Sequence, residues 1–210
     1  MAFINLSSVD KKARAGQIST SIGASGNMLI YTGSPPSSPD LTATGTLLVT
    51  LPLSATAGVA YTQVQSLVVV APGSGGTAGA QTITGTTGTG TFFTAAVTVT
   101  AGAISAVNSI SNAGQYSVNP TNVNVEPVTG GGLTGATVAL TLTGELLFNA
   151  ITTGTAVATG TAGYARIATS GGVGVVDLDV NTSGSSVIIT STAVVSGGSV
   201  SVTSAAFVEA

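Results

Sequence analysis

The chain has 210 residues, of which only 5% are charged, and its four Lys or Arg against seven Asp or Glu give a net charge of −3. This balance excludes nucleic-acid binding by a basic surface. Because the chain contains neither His nor Cys, it lacks the commonest general base, the usual zinc ligands, thiolate nucleophiles and disulfide bonds, so composition argues against an enzyme and for a protein without cofactors.

The first predicted element is a short helix of two to three turns over residues 10–20. Asp10 stands where a helix N-cap is expected, and Lys11, Lys12 and Arg14 are three of the four basic residues of the chain. Two interpretations stay open. The helix covers one open end of a β domain, or it is a basic arm that docks on an acidic partner surface.

Beyond this helix, short β-branched runs alternate with clusters of Gly, Ser and Pro, a pattern that indicates strands separated by turns. Disordered chains are poor in β-branched residues, and no apolar run approaches the roughly 18 residues that a membrane-spanning helix needs. We therefore expect a folded all-β protein with no membrane partner. The strands predicted for its outer part are 27–32, 45–53, 145–152, 162–169, 174–180, 186–195 and 199–208.

The texture changes between residues 60 and 142, where Gly and Thr become denser and Glu126 is the only charged residue. Strands are predicted on both sides of this stretch, and insertions are tolerated where strand ends lie close together at a surface. We therefore predict a β-sandwich, jelly-roll-like outer domain formed by residues 1–59 plus 143–210. The second β domain, residues 60–142, is inserted into it and projects from it.

The last four predicted strands are expected to form two hairpins. Gly171-Gly172 and Gly197-Gly198 each suit the centre of a two-residue loop, because glycine accepts the positive φ angles that such loops require.

A cross-strand ion pair follows from the first of these hairpins. If Gly171 and Gly172 are the central turn residues, the numbers of any two facing residues have the same sum as the numbers of these two glycines, which sets Arg166 opposite Asp177 and Tyr164 opposite Asp179. Such a pair would fix the register of the two strands, since a slip of one residue sends every side chain to the other face.

Other candidate sites have weaker patterns. Asp177 and Asp179 face the same way on a strand and could bind calcium, but two carboxylates are too few for a site that takes six to eight oxygens, so no metal site is predicted. The glycine clusters lack the Gly-Lys-Ser/Thr sequence of a phosphate loop, and we interpret them as turns. A sugar-binding platform on the insert is an alternative to a plain aromatic core, and its candidate residues are Tyr61, Tyr116, Phe92 and Phe93.

Three outer segments carry a resemblance, namely "GNMLIYTGSPPSSPDLTATGTLLVTLPLS", "GTAGYARIATSGG" and "VDLDVNTSGSSVIITSTAVVSGGSVSVTSAAF". They resemble a family of small virion proteins of tailed bacteriophages and prophages. The insert segment "AGAISAVNSISNAGQYSVNPTNVNVEPVTGGGLTGATVALTL" is similar to a β module of phage head and tail proteins with a Gly-Tyr pair, a Pro and a Gly-rich loop. Here Gln115 separates Gly114 from Tyr116, a departure from that module.

The resemblance implies a structural protein, with decoration (cementing) of a bacteriophage capsid as the first expectation. The partners would be the major capsid protein or other virion proteins, and the location the outer surface of the head after synthesis in the host bacterial cytoplasm. A tail, neck or fibre component is the alternative, and a host-glycan adhesin is the second alternative.

The residues favour assembly with partners. Isolated proteins usually protect strand edges with charges, especially Lys, yet no Lys follows Lys12. We therefore expect a homo-oligomer, with a trimer preferred over a dimer. Because basic charge is concentrated near the N-terminus, Lys11, Lys12 and Arg14 are predicted to dock the molecule on acidic groups of the virion.

Overall fold

The computed structural model describes residues 6–209, so residues 1–5 of the predicted outer domain and Ala210 lie outside the described part. It confirms an all-β fold with one N-terminal helix, since 53% of the residues are in strands and 7% are helical. The elements are α1 (Ser8–Ile22), β1 (Asn27–Thr32), β2 (Leu47–Pro52), β3 (Gly58–Ala71), β4 (Gly79–Gly85), β5 (Thr89–Thr91), β6 (Thr94–Thr100), β7 (Ala103–Asn112), β8 (Gln115–Val118), β9 (Glu126–Thr129), β10 (Thr137–Phe148), β11 (Gly154–Thr155), β12 (Gly160–Ala168), β13 (Gly174–Asn181), β14 (Val187–Ile189), β15 (Ala193–Val194), β16 (Ser199–Val200) and β17 (Val202–Val208).

The chain divides into two compact units, each with its own hydrophobic core. The outer unit contains residues 13–60 and 145–209, and the insert unit contains residues 61–144 together with the described residues up to Lys12. The unit boundaries therefore fall inside α1, β3 and β10.

The first turn of α1 belongs to the insert unit, whereas the sequence assigned it to the outer domain. Asn119 donates a hydrogen bond from Nδ2 to Ser8 Oγ at 2.8 Å. A Cβ built at Gly144 would overlap the carbonyl oxygen of Lys11. Only glycine allows this close approach of the two backbones. The pattern of hydrophobic residues does not indicate such a contact, so the sequence could not assign the first turn of α1 to the insert unit.

The N-cap of α1 is Ser7, not Asp10 as predicted. The backbone N–H of Asp10 donates to Ser7 Oγ at 3.1 Å, and the Ser7 hydroxyl donates to Asp10 Oδ2 at 2.7 Å. Ser7 thus caps the helix through its hydroxyl, which bonds both the backbone and the side chain of Asp10, and the helix begins two residues before the predicted start. The helix ends at Ile22 because Gly23 adopts a φ of +68°.

In the outer unit, β1 lies between β2 and β12 and pairs antiparallel with both. The order continues through β13, which is antiparallel to β12, and through β14, which is parallel to β13. β17 is antiparallel to β14, and the last residues of β10 pair antiparallel with β17. Alternate residues of these strands fill the core, to which α1 adds Ala15 and Ile22.

In the insert unit, β4 lies between β6 and β9, and β7 pairs with the far side of β6. The first residues of β10 pair with β9, while β8 pairs with β3 and β5. The largest side chains of this core are Phe93 and Tyr116, both fully buried. Short aliphatic side chains fill the remainder, as the low aromatic content requires.

The β12–β13 hairpin has a three-residue turn instead of the predicted two-residue loop. Thr169 N–H donates to the Val173 carbonyl at 2.9 Å, and only Gly172 of the two glycines has a positive φ, +82°. This is the geometry of a type I turn followed by a left-handed residue.

The second predicted hairpin is wrong. β14 and β17 do pair antiparallel, with Val187 opposite Ala205, but residues 190–201 separate them. Within that stretch β15 pairs with β12 and β16 pairs with β11. The turn around Gly197 therefore connects two short strands that have different partners, and tertiary pairing overrides the local turn signal.

Candidate functional site

The centre of the site is an ion pair between Arg166 on β12 and Asp177 on β13, which face each other in the register. Arg166 donates from Nε to Oδ1 and from Nη2 to Oδ2, both at 2.7 Å, and from Nη1 to the Leu41 carbonyl at 2.6 Å. The two side chains are only 6% and 7% exposed. The hydrogen bond to Asp177 raises the pKa of Arg166, so this buried guanidinium stays charged.

Two tyrosines lie beside the pair. Tyr164 faces Asp179 in the register, and its ring stacks on Tyr31 with centroids 5.3 Å apart. The Tyr164 hydroxyl donates to the Thr44 carbonyl at 2.9 Å and accepts from the Thr44 N–H at 3.0 Å. Burial raises the pKa of Tyr31 above its ordinary value, so its phenol is neutral near pH 7. The irregular segment after β1 is thus attached to the sheet by Arg166 and Tyr164.

An open concavity of about 530 Å³ lies over this arrangement. The polar residues of its lining are Tyr31, Asp40, Thr42 and Arg166. Leu41 and Val173, which are 52% and 63% exposed, supply apolar surface. The segment after β1 and the turn between β12 and β13 therefore shape a pocket whose polar groups belong to the anchored network.

Asp177 and Asp179 do not form a carboxylate pair for calcium. Asp177 has both oxygens bound to Arg166. Asp179 is exposed and accepts from the Ser186 N–H at 3.0 Å, and hydrogen bonding by Ser186 lowers its pKa. Within residues 6–209 no three His, Cys, Asp or Glu side chains come together as a group that could hold a metal ion.

The three N-terminal basic residues have different surroundings, all on α1. Lys12 Nζ donates to the Ser117 carbonyl at 2.5 Å. Arg14, 63% exposed at its side chain, pairs with Glu209 at 2.9 Å. Lys11 is partly exposed. The structure therefore engages two of the three charges within the chain, where the sequence expected all three to face a partner.

The aromatic platform on the insert, which the sequence left open as an alternative to a plain core, does not form, because its largest members are core residues. Phe93 and Tyr116 are fully buried, and the Tyr116 hydroxyl accepts from the Phe93 N–H at 3.0 Å. Phe92 stacks on Tyr116 with centroids 6.2 Å apart, and Tyr61 is half-buried. Neither Tyr116 nor Phe93 has a ring face available for a sugar.

Sequence reasoning missed the role of Glu126, which is completely buried in the insert unit. Its Oε1 accepts from the N–H groups of Thr86 and Thr87 at 2.8 Å, and its Oε2 accepts from the Thr87 hydroxyl. These bonds fix the turn after β4. The sequence did contain a signal, because Glu126 is the only charged residue of the stretch from 60 to 142. A carboxylate with no charged neighbours along the chain is a candidate for a buried, hydrogen-bonded position.

Among the described residues, none of the helices has the length and apolar character needed to cross a membrane. Comparison of the chain with models of protein families, with curated proteins and with solved structures finds no match in any of the three.

Proposed function

We propose that this chain is a structural protein of a bacteriophage virion, specifically a capsid decoration protein that coats and stabilises the head. The observation that carries the proposal is the edge strand β7. It has ten residues without a single charge, and among residues 6–209 it pairs only with β6.

An uncharged edge of this kind can pair with a partner strand, even though three register shifts against β6 interrupt its regularity. Unpaired N–H and C=O groups along a strand act as a template for another chain, and proteins that remain single protect such edges with Lys, Pro or covering segments. β2, at the edge of the outer unit, is uncharged as well, but this edge is partly protected, because β2 ends at Pro52 and its Leu48 carbonyl accepts from the Val157 N–H at 2.8 Å. Assembly into a lattice or oligomer is therefore inferred from the β7 edge.

The surface supports the same role. Exposed large apolar side chains are distributed over both units, and with few charges the surface loses little hydration energy when neighbouring subunits bury it. These side chains are Val9, Leu41, Val59, Val68, Val70, Val118, Val125, Val157, Val173, Val195 and Val208. A protein that works by static shape and repeated contacts needs no catalytic cluster, and the proposal includes no enzymatic step.

The proposed partner is the major capsid protein, with the chain present as a homo-oligomer, preferably a trimer. Lys11 and the exposed guanidinium of Arg14 are the basic groups best placed to meet acidic residues of the head. A tail, neck or fibre component remains the alternative, in which the β7 edge would pair with subunits related by a different symmetry.

A particle-binding experiment tests the proposal. Heads of the encoding phage, prepared without this chain, are mixed with the purified protein and sedimented, and the bound copies are counted against the major capsid protein. Stoichiometric, saturable binding to heads supports decoration. Binding to isolated tails with none to heads would transfer the assignment to the alternative, and binding to neither would refute both.

A further inference from the structure

The concavity above Arg166 has the composition of a ligand pocket. Its volume of about 530 Å³ is within the range of small-molecule sites, which combine apolar walls with a few placed polar groups. Here the apolar surface comes from Leu41 and Val173, both more than half exposed. Exposed apolar side chains around buried hydrogen-bonding groups are typical of a site that binds a small molecule.

Arg166 has hydrogen-bonding capacity left. A guanidinium carries five N–H bonds, and the contacts with Asp177 and the Leu41 carbonyl account for three of them. The side chain is 6% exposed and lines the concavity. A ligand oxygen that accepts from the two remaining N–H bonds would complete a donor set that the fold already holds rigid.

The charges of the pocket select the class of ligand. Asp177 neutralises Arg166, and exposed Asp40 adds one negative charge at the rim. An anionic ligand would be repelled by Asp40, and a cationic ammonium group has no lone pair to accept from the free N–H bonds of Arg166. A neutral ligand with many hydroxyl groups suits both, because Asp40 accepts hydrogen bonds where Arg166 donates them.

Tyr31 completes the set. Tyr31 lines the concavity, and its ring stacks on Tyr164, which holds the ring in one orientation. Its side chain presents an apolar body with a polar tip, which suits a ligand that has both apolar and hydroxyl surface. We propose that this concavity binds a neutral hexopyranose saccharide, with Tyr31 as the apolar wall and Arg166 and Asp40 as the hydrogen-bonding partners.

This inference is independent of the virion role, because it concerns the outer unit of the purified chain alone. The test is saturation-transfer NMR with the methyl glycosides of glucose, galactose, mannose and N-acetylglucosamine at millimolar concentration, with the methyl glycoside of sialic acid as the anionic arm. We expect at least one neutral glycoside to receive saturation and the sialoside to receive none.

Variants locate the binding. Asp40→Asn should weaken it about tenfold, the loss expected for one charge-assisted hydrogen bond, and Tyr31→Leu should abolish it. Asp179→Asn is the matched control, because Asp179 is also exposed but does not line the concavity. If Tyr31→Leu fails to fold by circular dichroism, Asp40→Asn decides. No binding, binding of the sialoside alone, or binding unchanged in Asp40→Asn would overturn the proposal.

Discussion

Arg166 and Asp177 form a bidentate ion pair in which two parallel hydrogen bonds of 2.7 Å join adjacent strands of the outer unit. Both side chains are more than nine-tenths buried. A third bond from Arg166 attaches the segment after β1 through the Leu41 carbonyl. The only basic residue after Arg14 therefore serves both strand register and loop placement.

The first prediction concerns the free energy of unfolding of variants at this pair. Arg166→Leu alone should lower it by about 3–5 kcal/mol, because an unpaired buried carboxylate remains. The double variant with Asp177→Leu should cost less than the single one. Urea denaturation followed by circular dichroism measures both changes and their coupling.

The Arg14–Glu209 pair is the more exposed comparison for this cycle. Its side chains are 63% and 11% exposed, and because water reaches the guanidinium, Arg14→Leu should lower the free energy of unfolding by less than Arg166→Leu does. If Arg166→Leu were as mild as Arg14→Leu, the buried pair would not hold the register as we infer.

The sequence predicts the facing of Arg166 and Asp177 for a reason that is only partly right. The three-residue turn lowers the sum of the facing residue numbers by one, because it sets Ala168 opposite Gly174. A bulge on β13 between Gly174 and Val176 then restores it, so that Ile167 is opposite Val176. Turn type and bulge compensate each other, which a count from the turn alone cannot anticipate.

A second prediction separates the two glycines of this turn. Gly172→Ala should lower the free energy of unfolding by about 1–2 kcal/mol, because Gly172 has a φ of +82° and nothing crowds its Cβ position. Gly171→Ala is the control, since Gly171 is not among the residues with a positive φ and its Cβ would make an ordinary contact of 3.7 Å with Thr169 Oγ1. Equal effects in thermal denaturation would contradict the turn geometry.

The third prediction is a dependence on alkaline pH. Burial raises the pKa of Tyr31 and of Tyr116 above the ordinary 10.0. Because the folded state keeps these phenols protonated, their contribution to stability is complete below pH 10 and is lost as pH rises through the raised values.

Phenolate absorbance measures this titration. Part of the absorbance change should occur at a higher pH than the ordinary step centred near pH 10. Tyr116→Phe should reduce this later part of the change. A single step near pH 10 with the fold intact by circular dichroism would show that burial does not protect the phenols.

The fourth prediction tests the open edge of the insert unit. Ser109 is an exposed residue of β7, and Ser109→Lys adds the charge that protects edge strands. We expect it to weaken self-association in light scattering, while Ser196→Lys, at an exposed turn residue of the outer unit between β15 and β16, leaves self-association unchanged. Equal oligomer populations in the two variants would exclude β7 as a subunit contact.

The fifth prediction concerns the basic residues of α1. Lys11→Gln combined with Arg14→Gln should weaken attachment to phage heads, most strongly at low salt, because exposed charges are screened as ionic strength rises. Deleting residues 1–20 is a poorer test, since it also removes Ala15 from the outer core. Attachment that is unchanged at every salt concentration would refute a docking role for these charges.

Local patterns were sufficient for some features of the fold and not for others. The strand at residues 27–32 was predicted with its observed bounds, because a β-branched and aliphatic run ends at a glycine. β10 begins at Thr137, eight residues before the predicted strand, because it continues from one unit into the other. The concavity combines residues more than 120 positions apart, such as Leu41 and Arg166, and only the folded sheet brings them together.

Electron cryomicroscopy of the virion tests the central claim most directly. The account predicts density for this chain repeated over the head lattice, on or near local symmetry axes, with α1 directed toward the capsid shell. Density confined to a vertex, neck or tail, or particles that lack the chain altogether, would contradict it.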